Sequence, residues 1–333
     1  MALARSEANN QIDDNSALFH ELERRKWGFF SDKPPFVDKL RTFNVFREKR
    51  LWKETPYVSM AVLQITNDCN RSCPSCQTAF CPICKVFPEM EKGIGIGLTT
   101  KEWLDLIDEL KRYGTQWIVF TGGEALLNED LATLVRHARE KGIAVQVNTS
   151  GLIPPAADFP DAAFSILLTD AEQLPSIDAN FGTSHNVTIL NSGVNPEIVT
   201  TSLSAHLSDG WRILPVSSDP PLIRKSDLIQ TGFDRFFARR QGDECLNGKI
   251  YVAYDGAVLP CFGHKGSPIA HLRQDGLPAA VKSLVETCWT VPVDKVRARG
   301  KCGGCEYRYS CKACRYLDVG QRCTFKVDEE SWT

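Results

Sequence analysis

The 333-residue chain has almost no net charge and no long apolar run. Its 39 basic and 41 acidic residues leave a formal charge of −2, which offers no strongly basic surface for nucleic acid or an anionic membrane. No run approaches the ~18 to 20 apolar residues of a membrane-spanning helix. Residues 1–15 are polar and lack the apolar centre of an export signal. We therefore expect a cytoplasmic protein that binds neither nucleic acid nor a membrane.

Cysteine, in contrast, is abundant. The chain has 13 cysteines, an odd and clustered set without an export signal. In a reducing compartment such a set favours metal ligation over a disulfide framework. Three of them form an N-terminal group, Cys69, Cys73 and Cys76, and seven form a C-terminal group, Cys245, Cys261, Cys302, Cys305, Cys311, Cys314 and Cys323.

Strand and helix patterns alternate between residues 58 and 240. The predicted strands are 58–66, 116–123, 144–151, 163–170, 186–193 and 211–218, and the predicted helices are 100–114, 128–142 and 195–210. Strands joined by crossovers predict a parallel sheet with its chemistry at the carboxyl ends of the strands. Six such units predict an α/β fold with a partial (β/α)6 barrel of the TIM type.

The two flanks differ from this region in composition. Residues 16–30 carry apolar side chains at roughly helical spacing, which predicts an amphipathic helix that caps the barrel. From about residue 241 onward cysteine, glycine and aromatic residues rise together, which suits a small domain held by metal centres. The expected organisation is a helical capping segment at 1–57, a barrel at 58–240 and a cysteine-rich domain at 241–333.

The N-terminal cysteines have the spacing Cys-x3-Cys-x2-Cys and directly follow the first barrel strand. Three thiolates could hold zinc with a water, but structural zinc sites use four closely spaced ligands, and no histidine follows nearby. An iron–sulfur cluster tolerates one iron without a protein ligand, and that iron can bind an exogenous chelator. The next strand ends in a second short motif, Thr121, Gly122, Gly123 and Glu124.

Together, the cysteine loop and the Gly-Gly-Glu motif resemble the radical S-adenosylmethionine (SAM) superfamily. The resemblance implies that the three cysteines hold a [4Fe–4S] cluster whose open iron is chelated by the methionine moiety of SAM. It also implies that the methionine site is lined by Thr121, Gly122, Gly123 and Glu124. The glycines would let the backbone approach the ligand, and the Glu124 carboxylate would bind its ammonium group. An external donor such as flavodoxin or ferredoxin would supply an electron, and SAM would yield a 5′-deoxyadenosyl radical that abstracts a substrate hydrogen.

Polar residues at the ends of the later strands are candidates for further cofactor contacts: Asn148, Ser150, Thr169 and Asn191. Capping of the following loop is the alternative role for each of them. The family commonly places an aromatic residue before the third cysteine, near the adenine, where this chain has Ser75. The adenine contact is therefore expected from elsewhere.

The C-terminal cysteines resemble the SPASM domain. The pattern runs Cys245, Gly256-x4-Cys261, Cys302-x2-Cys305-x5-Cys311-x2-Cys314 and Cys323, with x2 in place of the family's x3 before Cys314. A zinc ribbon is the competing interpretation of such paired cysteines. The resemblance implies two auxiliary [4Fe–4S] clusters, one held by Cys302, Cys305, Cys311 and Cys323, the other by Cys245, Cys261 and Cys314. The second would keep an open iron or recruit Asp243, Glu244 or a substrate atom.

Enzymes with this pair of domains act chiefly on peptides, and CGGCEYRYSCKACR at 302–315 resembles the C-terminal signature of maturases for ribosomally made peptides. The expected function is radical modification of such a peptide, by a thioether bond, a carbon–carbon cross-link or epimerisation. One alternative is radical dehydrogenation, epimerisation or decarboxylation of a small molecule such as an aminoglycoside or nucleoside. Another is a non-catalytic zinc or cluster protein that binds a partner. Cys81, Cys84 and Cys288 belong to neither motif, and any of them could donate hydrogen in an epimerisation.

Overall fold

The computed structural model describes residues 28–31, 42–45, 56–71, 96–156, 159–215, 246–261 and 267–290. The strands are β1 (Gly28–Ser31), β2 (Thr42–Val45), β3 (Met60–Thr66), β4 (Trp117–Gly122), β5 (Ala144–Thr149), β6 (Ala163–Leu168), β7 (Val187–Asn191), β8 (Arg212–Pro215), β9 (Lys249–Val252), β10 (Ala257–Leu259) and β11 (Ala270–His271). The α-helices are α1 (Thr100–Arg112), α2 (Leu131–Glu140), α3 (Leu174–Phe181), α4 (Pro196–Ser202), α5 (Ser204–Ser208) and α6 (Leu272–Leu284). Short 3₁₀ turns cover Ala125–Leu127 and Ala171–Gln173, and a π-helical turn covers Val285–Trp289.

Strands β3 to β8 are parallel and lie side by side in chain order. Because the order never reverses, every right-handed crossover places its helix on the same face of the sheet. A doubly wound sheet would instead reverse its order at a switch point. The predicted α/β class and its parallel strands are confirmed, and the strand order is that of a barrel wall.

The helices follow the predicted bounds closely, with one exception. Thr99 caps α1 through a reciprocal box in which the Glu102 carboxylate accepts from the Thr99 backbone N–H at 2.7 Å. The single helix predicted at 195–210 is instead the pair α4 and α5, which meet at Leu203. The Thr-Thr-Ser run before Leu203 has low helix propensity, and the structure breaks the helix there.

Alternate strand residues build the core beneath the helices. Leu63, Phe120, Val147, Ile166 and Ile189 are fully buried in one cluster. The same cluster contains the apolar stripes of α1 and α2, among them Trp103, Ile107, Leu134 and Val135. The residues that alternate with these strand positions therefore lie on the opposite face of the sheet, away from the helices.

The C-terminal part of the described chain extends this same sheet. β9 pairs in parallel with β3, and β10 and β11 continue as antiparallel strands. Residues 249–259, which composition assigns to the cysteine-rich domain, therefore join the barrel wall by backbone hydrogen bonds. The domain boundaries at 57/58 and 240/241 remain predictions.

At the N-terminal flank, β1 pairs with β2 in antiparallel fashion. The helix predicted over 16–30 is thus wrong for residues 28–30, where consecutive aromatic residues favour extended backbone. Residues 16–27 lie outside the described ranges. In the part of the chain that the structure describes, no helix is both long enough and apolar enough to cross a membrane.

Arg273 at the start of α6 ties the C-terminal segment to the beginning of α1. Its guanidinium donates to both Glu102 carboxylate oxygens, at 2.7 and 2.9 Å, and to the carbonyls of Ile96 and Gly97. These hydrogen bonds, with the one from the Thr99 N–H, lower the pKa of Glu102 to about 2. Both side chains are about one third exposed, so solvent screens much of the interaction.

We expect Glu102→Gln to lower the free energy of unfolding by on the order of 1 kcal/mol at pH 7. The folded-state pKa of Glu102 lies below its ordinary value of 4.5, so its contribution is complete above that value and disappears as pH falls toward about 2. Denaturant unfolding at pH 7, 5 and 3 should show the gap between wild type and variant narrowing. Glu129→Gln, on an exposed turn, is the control, and an unchanged gap at pH 3 would contradict the assignment.

Candidate functional site

The cysteine loop leaves the sheet at the carboxyl end of β3. Cys69 is the third residue after that strand, is partly buried and forms no disulfide. The loop is shaped by two local hydrogen bonds: the Asp68 N–H donates to the Thr66 hydroxyl at 3.0 Å, and the Gln64 amide donates to Asn67 Oδ1 at 2.7 Å. Cys73 and Cys76 lie outside the described residues.

The Gly-Gly-Glu motif packs directly on this loop. The Gly123 N–H donates to the Thr66 carbonyl at 3.0 Å, and the Glu124 N–H donates to the Asp68 carbonyl at 2.7 Å. A Cβ on Gly122 would lie 2.7 Å from the Thr66 carbonyl oxygen, and one on Gly123 would overlap the Asp68 carbonyl. Neither glycine has a positive φ, so the requirement is steric. The glycines thus permit the approach of two loops, a role that the sequence did not reveal.

Glu124 is buried, with 1% of its surface exposed. One carboxylate oxygen accepts from the Leu126 N–H at 3.1 Å, and the other accepts from the Ser150 N–H at 2.8 Å and the Ser150 hydroxyl at 2.6 Å. These three donors occupy all but one of the roughly four acceptor positions of a carboxylate. No cation of the described residues forms an ion pair with it. Glu124 therefore retains acceptor capacity for one further donor.

Two residues that sequence reasoning missed complete this edge. Arg71, inside the cysteine loop, donates through Nη2 to the Thr169 hydroxyl at 2.7 Å and to Gln173 Oε1 at 3.3 Å. Gln173 is 4% exposed, and its Nε2 donates to the carbonyls of Ser150 and Leu167. The capping signature Asp170-x2-Gln173 could have indicated Gln173 as a helix cap, but no local signal indicates its contact with Arg71.

The other predicted contacts fall into two groups. Ser150 and Thr169 join the network just described, and Asn148 lies buried on the face turned away from the helices, where it accepts from the Gln146 amide at 2.8 Å. Asn191 instead exchanges two hydrogen bonds with the backbone of Val194, at 2.8 and 3.0 Å. That geometry favours the loop-capping role of Asn191. Thr121 is fully buried beside the glycines.

The face of the sheet opposite the helices carries a row of polar side chains, one from each of the strands β3 to β8. Gln64 pairs in register with Thr121, Asn148 with Ser165, Ser165 with Thr188, and Thr188 with Arg212. The β4–β5 register, continued by one residue, brings Thr121 opposite Asn148. We call these six positions the polar row: Gln64, Thr121, Asn148, Ser165, Thr188 and Arg212. The row offers hydrogen-bonding groups to a ligand on this face of the sheet.

Cys261 lies at the other end of the sheet from Cys69. β9 runs parallel to β3, with Lys249 opposite Met60, and β10 returns so that Leu259 pairs with Tyr251. Cys261, two residues later, is therefore level with the beginning of β3. The length of β3 separates the two cysteines by on the order of 20 Å, which excludes a shared metal site.

The remaining C-terminal cysteines, Cys245, Cys302, Cys305, Cys311, Cys314 and Cys323, lie outside the described residues, as do Cys81 and Cys84. Cys288 is 4% exposed and packs in the apolar core with Leu284 and Val285. Within the ranges that the structure describes, no three cysteine, histidine or acidic side chains are grouped closely enough to hold a metal ion. The two auxiliary clusters remain predictions.

Comparison with known proteins identifies the central segment. Residues 63–169 match the profile of the Radical SAM superfamily, and this range contains the three N-terminal cysteines and the Gly-Gly-Glu motif. The PqqA peptide cyclase of Rhodopseudomonas palustris is 37% identical over 101 residues, 30% of this chain and 24% of that protein. The Fe-coproporphyrin III synthase of Methanosarcina barkeri is 34% identical over 94 residues, 28% of this chain and 21% of that protein. The matches thus span about a quarter of the length of these relatives.

Among solved structures, Streptococcus suis SuiB bound to the precursor peptide SuiA aligns with 88% of this chain and 80% of that chain. The identity is 12% and the TM-score is 0.45. A likeness of this size supports no argument about activity.

For the SAM cleavage proposed in the next subsection, we expect Gly123→Ala to abolish the reaction while lowering the free energy of unfolding by about 1 to 3 kcal/mol. The added methyl group overlaps the Asp68 carbonyl and displaces the loop that carries Cys69. Gly142→Ala is the control, because it strains a residue with φ +69° at the opposite edge of the sheet without a close contact. The unfolding midpoints should show similar destabilisation of the two variants. 5′-Deoxyadenosine should form only with the control variant. Undiminished cleavage by Gly123→Ala would contradict the role of this contact.

Proposed function

Because residues 63–169 match the profile of the Radical SAM superfamily, we propose that this protein is a radical SAM enzyme that modifies a ribosomally made peptide. The proposal rests above all on the contact between the loop of Cys69 and the Gly-Gly-Glu motif. In this contact the Glu124 N–H donates to the Asp68 carbonyl at 2.7 Å. That contact brings a cluster ligand and a buried carboxylate to the same edge of the sheet. A structural turn alone would not need a buried carboxylate that accepts three hydrogen bonds.

The residues present fit the cluster and the cofactor. Cys69, with Cys73 and Cys76, would hold the [4Fe–4S] cluster, and three thiolates suit a cluster that keeps one iron open. Glu124 is buried without a cation in the described part of the chain, and its remaining acceptor position suits the ammonium of the methionine moiety. When bound, the cluster and SAM supply a 5′-deoxyadenosyl radical that abstracts hydrogen from the substrate.

The barrel wall contributes orientation and shelter. Thr121, Asn148 and Ser165 are each less than 10% exposed on the inner face, and their polar groups would hold a hydrogen-bonding substrate below the carboxyl edge. The apolar core behind them keeps the strands rigid and water away from a reactive carbon radical. A peptide, with an amide at every residue, matches such a row of donors and acceptors.

The substrate class is favoured by the relatives named PqqA peptide cyclase and by the maturase-like cysteine string at 302–315. The relative named Fe-coproporphyrin III synthase supports the second candidate, radical chemistry on a small molecule. Both relatives match this chain over similar lengths, so these matches favour the two substrate classes equally. The polar row and the C-terminal cysteine string favour the peptide.

We also propose that the C-terminal cysteines hold two auxiliary clusters, with the sets given above. Cys261 is level with the start of β3, whereas Cys69 follows its end. A cluster held by Cys261 would therefore lie toward the end of β3 opposite to the SAM site. A substrate between them could pass an electron to the auxiliary cluster or bind its open iron through a thiolate.

Cys69→Ala should abolish 5′-deoxyadenosine formation by the reduced protein, because two thiolates do not retain the cluster. Cys288→Ala is the matched control: it removes one thiol from the apolar core and should retain cleavage. Anaerobic preparations should be compared by iron and sulfide content, by absorbance near 400 nm and by product formation. Zinc without that absorbance would contradict the enzyme assignment and favour a non-catalytic binding protein.

The substrate class is tested with the short reading frames beside the gene, expressed as peptides and incubated with enzyme, SAM and reductant. A peptide substrate should lose two hydrogens on cross-linking or thioether formation, or keep its mass and take up deuterium from solvent on epimerisation. Mass spectrometry before and after reaction distinguishes these outcomes. If no peptide changes while a sugar or nucleoside extract yields a product, the small-molecule alternative is correct.

A further inference from the structure

Two charged groups, the buried carboxylate of Glu124 and the partly buried guanidinium of Arg71, lie at the carboxyl edge of the sheet without a counterion among the described residues. Glu124 is 1% exposed, and its carboxylate accepts only from neutral donors. Nη1 of Arg71 is fully buried and has no hydrogen-bond partner, although Nη2 of the same guanidinium has two. Buried charges are normally paired, and a buried donor without an acceptor is destabilising.

A continuous chain of hydrogen bonds connects these two groups. From Glu124 it passes to Ser150, whose carbonyl accepts from Gln173 Nε2 at 2.9 Å. Gln173 Oε1 then accepts from the Thr169 hydroxyl at 3.1 Å and from Arg71 Nη2 at 3.3 Å. Gln173 cannot rotate away, because its Nε2 also donates to the Leu167 carbonyl at 3.0 Å. The carboxylate and the guanidinium are therefore connected through Ser150 and Gln173.

A ligand that satisfies both groups must carry both a cation and an anion. The α-ammonium and α-carboxylate of an amino acid meet this requirement. Glu124 has one acceptor position left for the ammonium, and Arg71 Nη1 has two N–H groups left for a carboxylate. Arg71 also stands two residues after Cys69, inside the loop that would hold the cluster.

We propose that Arg71 binds the α-carboxylate of the methionine moiety of SAM through Nη1, with Thr169 and Gln173 as the residues that position its guanidinium. The proposal rests on the radical SAM function proposed above and adds a binding residue to it. Thr169 thus serves the cofactor through Arg71. Arginine suits this position because its planar fork divides two pairs of N–H groups between the protein and a ligand carboxylate.

The test is equilibrium binding of two ligands to cluster-loaded protein without reductant, so that no cleavage occurs. The ligands are SAM and decarboxylated SAM, which lacks only the α-carboxylate. We expect Arg71→Gln to weaken SAM binding about 10- to 100-fold, as for loss of a charge-assisted hydrogen bond. The affinity for decarboxylated SAM should change by less than about threefold, because this ligand has no carboxylate for Arg71 to bind and only indirect effects of the substitution remain. Arg71→Lys should recover part of the SAM affinity.

Arg112→Gln is the control, since it removes the same charge from the exposed end of α1, near the opposite edge of the sheet. Iron and sulfide content are measured in every variant, so that loss of the cluster is seen directly. An equal loss of affinity for both ligands, or no loss for SAM, would overturn the role of Arg71. Wild-type protein that binds no SAM would instead refute the proposed function itself, which separates the two failures.

Discussion

The carboxyl edge of the sheet depends on one close contact, between the backbone of residues 66–68 and the backbone of Gly122, Gly123 and Glu124. A side chain on Gly123 would overlap the Asp68 carbonyl, so the two loops meet only because glycine stands there. The contact fixes where the chain turns toward Cys69 and where Glu124 enters the interior. A shift of about 1 Å in such a loop is enough to misplace reacting groups and slow a reaction by on the order of a hundredfold.

From this contact the site extends sideways along the strand ends. Glu124 is held by Ser150 at the end of β5, and Ser150 is held by Gln173 beyond the end of β6. Gln173 and Thr169 then hold Arg71, which returns to the cysteine loop. These hydrogen bonds connect three strand ends with the loop after β3. The network contains one negative charge, on Glu124, and one positive charge, on Arg71, and the two do not form an ion pair with each other. Such an arrangement costs stability without a ligand, and a zwitterionic ligand would recover it.

The inner face of the sheet has a different chemistry from its helix-covered face. One face buries Leu63, Phe120 and Ile166 against the helices, while the other presents the polar row. The strands of a parallel sheet that is covered on both faces usually have continuous runs of apolar residues in their sequence. The departure favours this polar face as a binding surface, with the Cys69 loop following the carboxyl end of β3 and Cys261 level with its beginning.

Local signals in the sequence determined the parallel strands, most helix bounds and the motifs at the first two strand ends. Alternation of apolar residues indicates a strand, a capping box indicates the start of a helix, and cysteine spacing indicates the ligands of a cluster. Each of these signals lies within a few consecutive residues. Tertiary structure decided which polar residues meet. Arg71 contacts Thr169 and Gln173, which are 98 and 102 positions away, and a polar loop residue looks the same in sequence whether it faces solvent or a site. The membership of β9 and β10 in the barrel wall and the capping role of Asn191 were likewise decided by register and loop closure, because the hydrogen bonds that establish them exist only after the sheet has formed.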